Sequence, residues 1–414
     1  MRVAYVNAYW ADPQVCAGRP RPAASVEAAN RQADEGADRG GSHTIAPVRR
    51  PAFYTNERMP APARTLAFDI LRRVESGAWA SDLLLAHSTG LDSRDASLAS
   101  EIVFGVLRYR AQLDYLMEHY AGRRQKLDLE VRIALRMGIY QLRYLERIPP
   151  HAAVTDAVDL VKRARKRSAA GYVNAILRQV NRDPVAWPNR EVELSCPEWL
   201  LARWEARYGA EAAAGIARAA LEEPEKYTRG TRIQDIGAQS IVPLLGLEPG
   251  QSFLDLCAAP GNKTAQALDA GVDATACDLH YHRLVQMKNQ AAGLVVLDGT
   301  RPLPFTRRFD RILVDAPCSG TGTLGRNPEA KWRLLPADLA DLQGRQIALL
   351  RNARDVLAPG GLLVYSTCSL EAEENEAVVA AAAPAELVAE TIERRPGRDA
   401  GDGFYAAVIK SEYP

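Results

Sequence analysis

Two cysteines stand at positions where a thiol suggests chemistry more than packing. Cys318 comes shortly after the apolar run 311–314, Cys368 comes shortly after the apolar run 362–365, and both have Ser, Gly or Pro neighbours. A single cysteine is usually a small buried hydrophobe, but two thiols just beyond apolar runs are poorly explained that way. The other cysteines include no C-x-x-C pair, which argues against a zinc site and a disulfide framework; they are Cys16, Cys196, Cys257 and Cys277.

A second group of residues has the character of a ligand-binding loop. The small side chains of Asp255–Thr264 allow a ligand to approach the backbone, and the helix that follows offers N–H groups to an anion. Asp278 and Asp298 each follow an apolar run, where open α/β folds bind ribose hydroxyls or an adenine edge. Taken alone, either acid could equally well be a helix cap. The two together favour an adenosine-containing cofactor.

A sheet is needed to bring these residues together. From about residue 251, short apolar runs alternate with segments of helical length, which is typical of an α/β domain with a mostly parallel sheet. Ligands bind beyond the carboxyl ends of such strands, where the candidate residues fall. We predict a Rossmann-like α/β domain over residues 236–414, with strands near 253–256, 273–277, 295–297, 311–314 and 362–365.

The region before the sheet is predicted to be helical. Apolar residues recur at helical spacing over 66–74, 102–113, 129–145, 154–161 and 173–180. The third of these helices is expected to end at Pro149-Pro150, because proline cannot donate to the helical hydrogen-bond ladder. These patterns predict an all-α bundle over residues 61–185 and a helical linker over 190–235.

Charge is unevenly distributed along the chain. The net charge of +1 combines +2 over residues 1–60, +7 over residues 61–190 and −8 over residues 191–414, which suggests that the helical half binds a polyanion. Within it, five cations in six residues are too many for neighbouring acids to neutralise. We therefore expect phosphate contacts there rather than a solvated helix end; the cations are Lys162, Arg163, Arg165, Lys166 and Arg167.

Residues 1–58 show no sustained apolar period and are rich in Ala, Arg, Gly, Pro and Asp, which predicts disorder. Helical spacing begins directly after Met59, so we expect translation to start there. No signal peptide and no apolar run of the ~20 residues that a membrane span needs is evident. Together with the scattered thiols, these features predict a cytoplasmic protein that does not associate with membranes.

The motifs described above resemble those of the Nop/Sun family of RNA cytosine-C5 methyltransferases, in order and in spacing. The matching strings are Asp255–Thr264, Asp315–Gly322, Tyr365–Ser369 and the tail 373–376. The helical region is similar to the NusB-like RNA-binding domain of one bacterial branch that modifies 16S ribosomal RNA, notably at 105–108, 136–142 and 171–178. The resemblance extends over residues 61–412.

The resemblance implies covalent catalysis. Cytosine C5 is too weak a nucleophile to take a methyl group directly, but addition of a thiolate to C6 activates it. By analogy, Cys368 is the nucleophile, Cys318 assists product release, Asp315 binds the base, and Lys263 contacts the base or cofactor edge. S-adenosyl-L-methionine would be the cofactor, without a metal, and its site would comprise Cys257, Ala258, Ala259, Pro260, Gly261, Asn262, Lys263, Asp278, Asp298 and Asp315. The expected partner is RNA, specifically 16S ribosomal RNA, bound by a monomer.

Two departures from the family pattern stand out. Asn262 replaces the second glycine of the usual Gly-Gly-Lys, and we expect asparagine to tolerate the left-handed conformation of the turn. The family also carries an RNA-binding insertion before the catalytic sheet. Its start resembles 223–229 and its end resembles 233–240, so most of it is expected to be absent here.

Three rival functions are less well supported by the sequence. The chain could be an RNA-binding NusB-like protein with an impaired methyltransferase domain, although it retains both cysteines, Lys263 and Asp315. A DNA cytosine methyltransferase would place a Glu-Asn-Val after its Pro-Cys, and that string does not occur. A protein or small-molecule methyltransferase has no need of two cysteines at strand ends.

Overall fold

A computed structural model describes residues 60–122, 124, 126–290 and 293–412, together with the backbone of residues 3–5. The predicted disorder of residues 1–58 and the predicted start at Met59 therefore lie outside the described residues, with one exception. Val3–Tyr5 forms a short strand, β1, which the composition of this region did not predict.

The described part of residues 60–182 is all helical, as the spacing of apolar residues predicted. Its helices are α1 Pro62–Glu75, α2 Ala80–His87, α3 Ser93–Arg108, α4 Arg110–Ala121, α5 Leu129–Tyr144, α6 Pro150–Arg163 and α7 Ala170–Gln179. Their apolar faces form one core, in which α5 is buried along most of its length. The prediction of a single helix over 102–113 is wrong, because α3 ends at Arg108 and α4 begins at Arg110.

Local sequence explains several of the helix boundaries. The Asp92 carboxylate accepts hydrogen bonds from the backbone N–H groups of Arg94 and Asp95, at 2.9 and 2.8 Å, and so caps α3. Gly122 ends α4 with a φ of 68°, a conformation that costs glycine little. Pro150 occupies the first turn of α6, where a missing N–H group is harmless.

A helical linker connects the bundle to the sheet. It consists of α8 Arg190–Glu193, α9 Glu198–Tyr208 and α10 Ala210–Ala219, followed by the hairpin strands β2 Thr228–Arg229 and β3 Arg232–Ile233 and by the short helix α11 Ile236–Gln239. Trp204 of α9 is completely buried, and it belongs to an apolar cluster that includes Leu324 and Leu370 of the following domain. The linker therefore packs against loops of the α/β half.

The second half of the chain contributes seven strands, and β1 the eighth, to a sheet in the order β1-β6-β5-β4-β7-β8-β10-β9. Its strands beyond β1 are β4 Ser252–Asp255, β5 Asp273–Asp278, β6 Gly293–Val296, β7 Phe309–Asp315, β8 Leu357–Thr367, β9 Val388–Arg394 and β10 Phe404–Lys410. All neighbouring pairs are parallel except those that involve β10. The α/β prediction with a mostly parallel sheet is confirmed.

Helices cover this sheet, so both of its faces are buried. They are α12 Asn262–Leu268, α13 Tyr281–Leu284, α14 Ala330–Arg333, α15 Pro336–Asp355 and α16 Glu376–Ala382. Successive side chains of a strand point to opposite faces of the sheet. Leu254 accordingly belongs to one apolar cluster and Phe253 to another. This burial on both faces explains the continuous apolar runs in the sequence.

One segment of the α/β half, residues 325–333, is inserted against the helical bundle. Lys331 is only 1% exposed, and its Nζ donates to the backbone oxygen of Arg108 at 3.0 Å. Arg333 donates to the backbone oxygen of Val74 at 2.7 Å. The two halves are thus joined by buried polar contacts as well as by the linker. No helix within the described ranges is long and apolar enough to cross a bilayer.

Candidate active site

The candidate residues meet where the strand order of the sheet reverses. The chain passes from β4 to β5 and β6 on one side, then returns to β7 and β8 on the other side of β4. At such a switch point, the loops beyond the carboxyl ends diverge and leave a crevice for a ligand. The loop after β4, Asp278 at the end of β5, and the loops after β7 and β8 all open at this edge.

The two thiols predicted to act together lie in contact. Sγ of Cys318, in the loop after β7, is 3.3 Å from Sγ of Cys368, in the loop after β8. The strands that deliver them are parallel neighbours, with Asp315 opposite Ser366. The loops are joined again where the N–H of Gly322 donates to the backbone oxygen of Cys368 at 2.9 Å.

Cys318 is a weaker acid than a free thiol. Its hydrogen bond with Cys368, its burial and the nearby Glu374 carboxylate, in that order, raise the pKa of Cys318 well above that of a free thiol. At neutral pH this residue is therefore a thiol. It can act as a hydrogen-bond donor to its neighbour.

Lys263 and Asp315 form an ion pair beside the thiols. Nζ of Lys263, at the start of α12, is 2.6 Å from Oδ2 of Asp315, and Oγ of Ser366 donates to Oδ1 of Asp315 at 2.8 Å. Burial would lower the pKa of Lys263, but the Asp315 carboxylate and, further away, Cys368 outweigh it and raise the pKa. Lys263 is thus a permanent positive charge near Cys368, on the side of the site where Phe404 faces it.

The loop between β4 and α12 is shaped by one glycine. Gly261 has a φ of 101°, and a Cβ atom there would come within 2.4 Å of Gln290 and 2.8 Å of Met287. Asn262 is the first residue of α12 and adopts the helical conformation. The expectation that Asn262 must tolerate a left-handed turn is therefore wrong, since Gly261 alone occupies that region.

Asp255 is a buried acid that sequence reasoning did not single out. It is 1% exposed, Oδ2 accepts from Oγ1 of Thr264 at 2.6 Å, and Oδ1 has no hydrogen-bond partner. Burial raises the pKa of Asp255 to about 7. An unpartnered oxygen at the end of the central strand fits a site that receives a polar ligand group. Its position at a strand end was the available sequence signal.

Asp278 and Asp298 both hold backbone N–H groups. Asp278 accepts from Ala259 at 3.2 Å and from His280 at 2.8 Å, and Asp298 accepts from Thr300 at 3.0 Å. Neither caps a helix, because the N-cap residue of α13 is His280 and no described helix begins soon after Asp298; both carboxylates bind N–H groups of turns and loops instead. Asp278 also anchors the glycine loop, which makes it part of the same site as Gly261.

Two apolar side chains beside Asp278 are exposed. Leu279 is 48% exposed and Tyr281 is 46% exposed, although large apolar residues are normally covered. They follow directly after the carboxyl end of β5, so an uncovered apolar surface adjoins a carboxylate. That combination fits an adenosine, whose base is flat and apolar and whose ribose is polar. Sequence reasoning missed both residues; the signal was an apolar residue directly after a strand-end acid.

The basic cluster of α6 is more neutralised than expected. Lys162 pairs with Asp159 at 3.2 Å, Arg163 with Asp69 at 3.0 Å, and Lys166 with Asp128 at 2.8 Å. From the sequence, too few acids are expected near the cluster to neutralise its charge. That expectation is wrong for three of the five cations, because two of the acids belong to other segments of the bundle. Arg165 lies in the turn after the helix, with a φ of 62°.

The sheet order, the switch-point crevice and the glycine loop define a Rossmann-like methyltransferase of the class that uses S-adenosylmethionine. The chain belongs to the 16S rRNA methyltransferase RsmB/F family, whose model matches residues 242–410, while the NusB family model matches residues 61–182. S-adenosylmethionine is accordingly its cofactor.

Relatives match over most of their length. A Bacillus subtilis protein named "Probable ribosomal RNA small subunit methyltransferase B" is 31% identical, over 76% of this chain and 87% of its own. "Ribosomal RNA small subunit methyltransferase B" of Cronobacter sakazakii is 30% identical, over 84% of this chain and 98% of its own. The solved structure of PH0851 superposes with a TM-score of 0.68 at 19% identity, over 85% of this chain and all of that one, which shows a shared fold.

The relatives are longer within the matched region. The Cronobacter alignment extends over 424 residues, whereas 84% of this 414-residue chain is about 350 residues, so about 75 positions lack a counterpart here. In this chain only Gly230 and Thr231 separate the paired strands β2 and β3. The absence of most of an insertion at this hairpin stays a prediction.

Proposed function

We propose that this protein transfers a methyl group to C5 of a cytosine in 16S ribosomal RNA, through a covalent bond between Cys368 and C6 of the base. The observation that carries the proposal is the 3.3 Å contact between the thiols of Cys318 and Cys368, beside the Lys263–Asp315 ion pair. A methyltransferase that acts on a reactive amine or oxygen would need no such pair.

Cys368 is proposed as the nucleophile because of the groups that face its sulfur. The Lys263 ammonium interacts with it electrostatically, and the Cys318 thiol lies within hydrogen-bonding distance of its sulfur. The thiolate adds to C6, and the electron pair of the C5–C6 double bond becomes available at C5. S-adenosylmethionine supplies the methyl group that C5 takes up.

Cys318 is proposed to assist release of the product. It passes its proton to the sulfur of Cys368 as the bond from that sulfur to C6 breaks, and it takes the proton that leaves C5. The C5–C6 double bond is thereby restored and Cys318 regains its thiol. Its raised pKa suits this exchange, because a weakly acidic thiol is a strong base once it has lost its proton.

Asp315 and Lys263 are proposed to hold the base. Each Asp315 oxygen accepts one hydrogen bond from the protein, which leaves further acceptor capacity toward the amine of cytosine. Lys263 stabilises negative charge that develops on the ring during addition.

The assignment of residues to cofactor binding is likewise a proposal. It is supported by the match between these side chains and the parts of the cofactor. Residues 257–263 would surround the methionine end, and the unpartnered Oδ1 of Asp255 offers an acceptor there. Asp278 would hold the ribose and Asp298 the adenine edge. Leu279 and Tyr281 provide an apolar surface for the adenine ring.

The NusB-like helical half is proposed to bind the RNA. Its net charge of +7 supports this role. Arg165 and the other cations at the end of α6 and in the turn after it are candidate phosphate contacts, although three of them already have carboxylate partners.

Bisulfite sequencing of ribosomal RNA tests the proposed function. Cells that lack the gene should lose 5-methylcytosine at one or a few sites of 16S RNA, and the intact gene should restore it. A gene that encodes Cys368→Ser should not restore it, although the protein accumulates. An unchanged methylation pattern in the deletion strain would refute the proposed substrate.

A further inference from the structure

A buried glutamate joins the two thiol-bearing loops. Glu374 lies six residues after Cys368, between β8 and α16, and it is 0% exposed. A carboxylate that is removed from water must be compensated by hydrogen bonds or by an opposite charge. The position of those hydrogen bonds indicates what Glu374 does.

Both carboxylate oxygens accept hydrogen bonds from residues next to the thiols. Oε1 accepts from the backbone N–H of Ser319 at 2.8 Å and from Nε2 of Gln346 at 3.0 Å. Oε2 accepts from Oγ of Ser369 at 2.5 Å and also from Oγ of Ser319. Ser319 directly follows Cys318, and Ser369 directly follows Cys368.

We propose that Glu374 is a positioning residue that holds the loops of Cys318 and Cys368 together, so that their sulfur atoms remain in contact. The inference rests on the proposed function of the thiols and adds a residue to which that function assigned no role. Glu374 acts through its neighbours, because its carboxylate is bonded to Ser319, Ser369 and Gln346.

Two further contacts make the arrangement specific to the Cys318 loop. Nε2 of Gln346 also donates to the backbone oxygen of Pro317 at 2.9 Å, so the residues on both sides of Cys318 are bound to one network. The Glu374 charge is also one of the groups that face Cys318, together with Cys368 and Tyr365. A neutral residue at 374 would therefore alter both the geometry and the electrostatics of Cys318.

Disulfide formation measures the separation of the two sulfurs without any RNA. Diamide removes two electrons and two protons from a thiol pair, and the bond forms readily only when the sulfurs can approach to about 2 Å. In the full-length protein, the Cys318–Cys368 disulfide should form quickly and be detected as linked peptides by mass spectrometry. In Glu374→Ala, which removes all four hydrogen bonds to the carboxylate, it should form at least about tenfold more slowly, since one hydrogen bond to a charged group is alone worth about that factor.

Activity provides the second measurement. Glu374→Ala should lower kcat for RNA methylation while the KM for RNA changes little, since the carboxylate is buried away from the RNA. Glu374→Gln has the same size and should recover part of both the disulfide rate and kcat. Because the disulfide assay uses no RNA, a failure of the proposed substrate would leave its result unaffected.

Glu371→Gln is the matched control, because Glu371 is also buried but contacts Arg203 and Trp204 with its carboxylate. It should form the disulfide at the rate of the unmodified protein. If Glu374→Ala does not fold, as judged by thermal unfolding, Ser319→Ala tests the same link and should also slow the disulfide. An unchanged disulfide rate in a folded variant at either position would overturn the proposal.

Discussion

The two thiols of the site are chemically unequal, although only 3.3 Å separates them. Cys318 keeps its proton because of its hydrogen bond with Cys368, its burial and the Glu374 carboxylate. Cys368 lies toward the Lys263 ammonium. A pair that consists of one protonated thiol and one nucleophile can divide the addition and elimination steps between its members.

Substitution of each cysteine should therefore have a different result. Cys368→Ser should abolish methylation and form no adduct, because the sulfur proposed to attack C6 is absent. Cys318→Ala should accumulate a covalent protein–RNA complex, because addition proceeds but release is impaired. Denaturing gels of reactions with labelled RNA and S-adenosylmethionine would show the complex. The reverse pattern would mean that the two roles are exchanged.

Asp255 should make stability depend on pH. Burial raises the pKa of Asp255 to about 7 in the folded protein, so folding favours the protonated acid. Its contribution to stability is complete below about pH 4 and is lost as the pH rises to about 7. Relative to the unmodified protein, Asp255→Asn should gain stability across that window, on the order of 4 kcal/mol.

Urea unfolding at a series of pH values would measure this gain. The exposed Asp273, which pairs with Arg307 at the surface, provides a control, since Asp273→Asn should show no such trend. A constant difference between Asp255→Asn and the unmodified protein from pH 4 to 7 would contradict the expected ionisation.

Sequence reasoning predicted which candidate residues the sheet brings together but not the residues that support them. Cys318, Cys368, Lys263 and Asp315 stand at strand ends or in a glycine loop, and local pattern is enough to place such residues at one edge. Glu374 bonds to Ser319, 55 residues earlier in the chain. Contacts of that kind depend on tertiary packing, which the local periodicity of a sequence does not encode.

Among the elements, α6 illustrates the same limit. Its basic end looked unneutralised because the acids that pair with it, Asp69 and Asp128, belong to other parts of the bundle. The strands β4 to β8 were found from their apolar runs. The break between α3 and α4 was missed, since apolar spacing continues through Tyr109 and the turn there contains neither Gly nor Pro.

The ion pairs of α6 predict a graded effect on RNA binding. Removal of a phosphate contact lowers the slope of log K against log salt by about one unit. Arg165→Gln should approach that value if the cluster binds RNA. Lys166→Gln should have a smaller effect, because Asp128 already neutralises Lys166 at 2.8 Å. Titrations at several salt concentrations would measure the slopes, and unchanged slopes for both variants would exclude the cluster from the RNA interface.

At the scale of the whole molecule, the bundle and the α/β half should unfold together. Segment 325–333 forms buried contacts with the bundle: Oε1 of Glu329 accepts from the N–H of Ala80 at 2.7 Å, and Arg333 donates to Val74. Each polar group left unsatisfied there costs about 1–3 kcal/mol. We expect one calorimetric transition for the unmodified protein and two for the combined Glu329→Ala and Arg333→Ala substitutions.

A surface substitution provides the comparison for this experiment. Arg345 pairs with Asp341 on the exposed side of α15, and exposed pairs contribute little to stability. Arg345→Ala should retain the single transition. Two transitions in the unmodified protein would show that the contacts of segment 325–333 do not couple the halves.

The two-residue turn between β2 and β3 has a consequence for how this architecture can be altered. Arg229 and Arg232 are paired directly, so the chain enters and leaves the turn of this linker hairpin at adjacent points. A module with neighbouring ends can be added at such a point or removed from it without changing the order of the strands. Gly230, with a φ of 58°, allows the chain to turn there within two residues. The hairpin is therefore a natural graft point, at which a foreign RNA-binding module could redirect the enzyme to a new transcript.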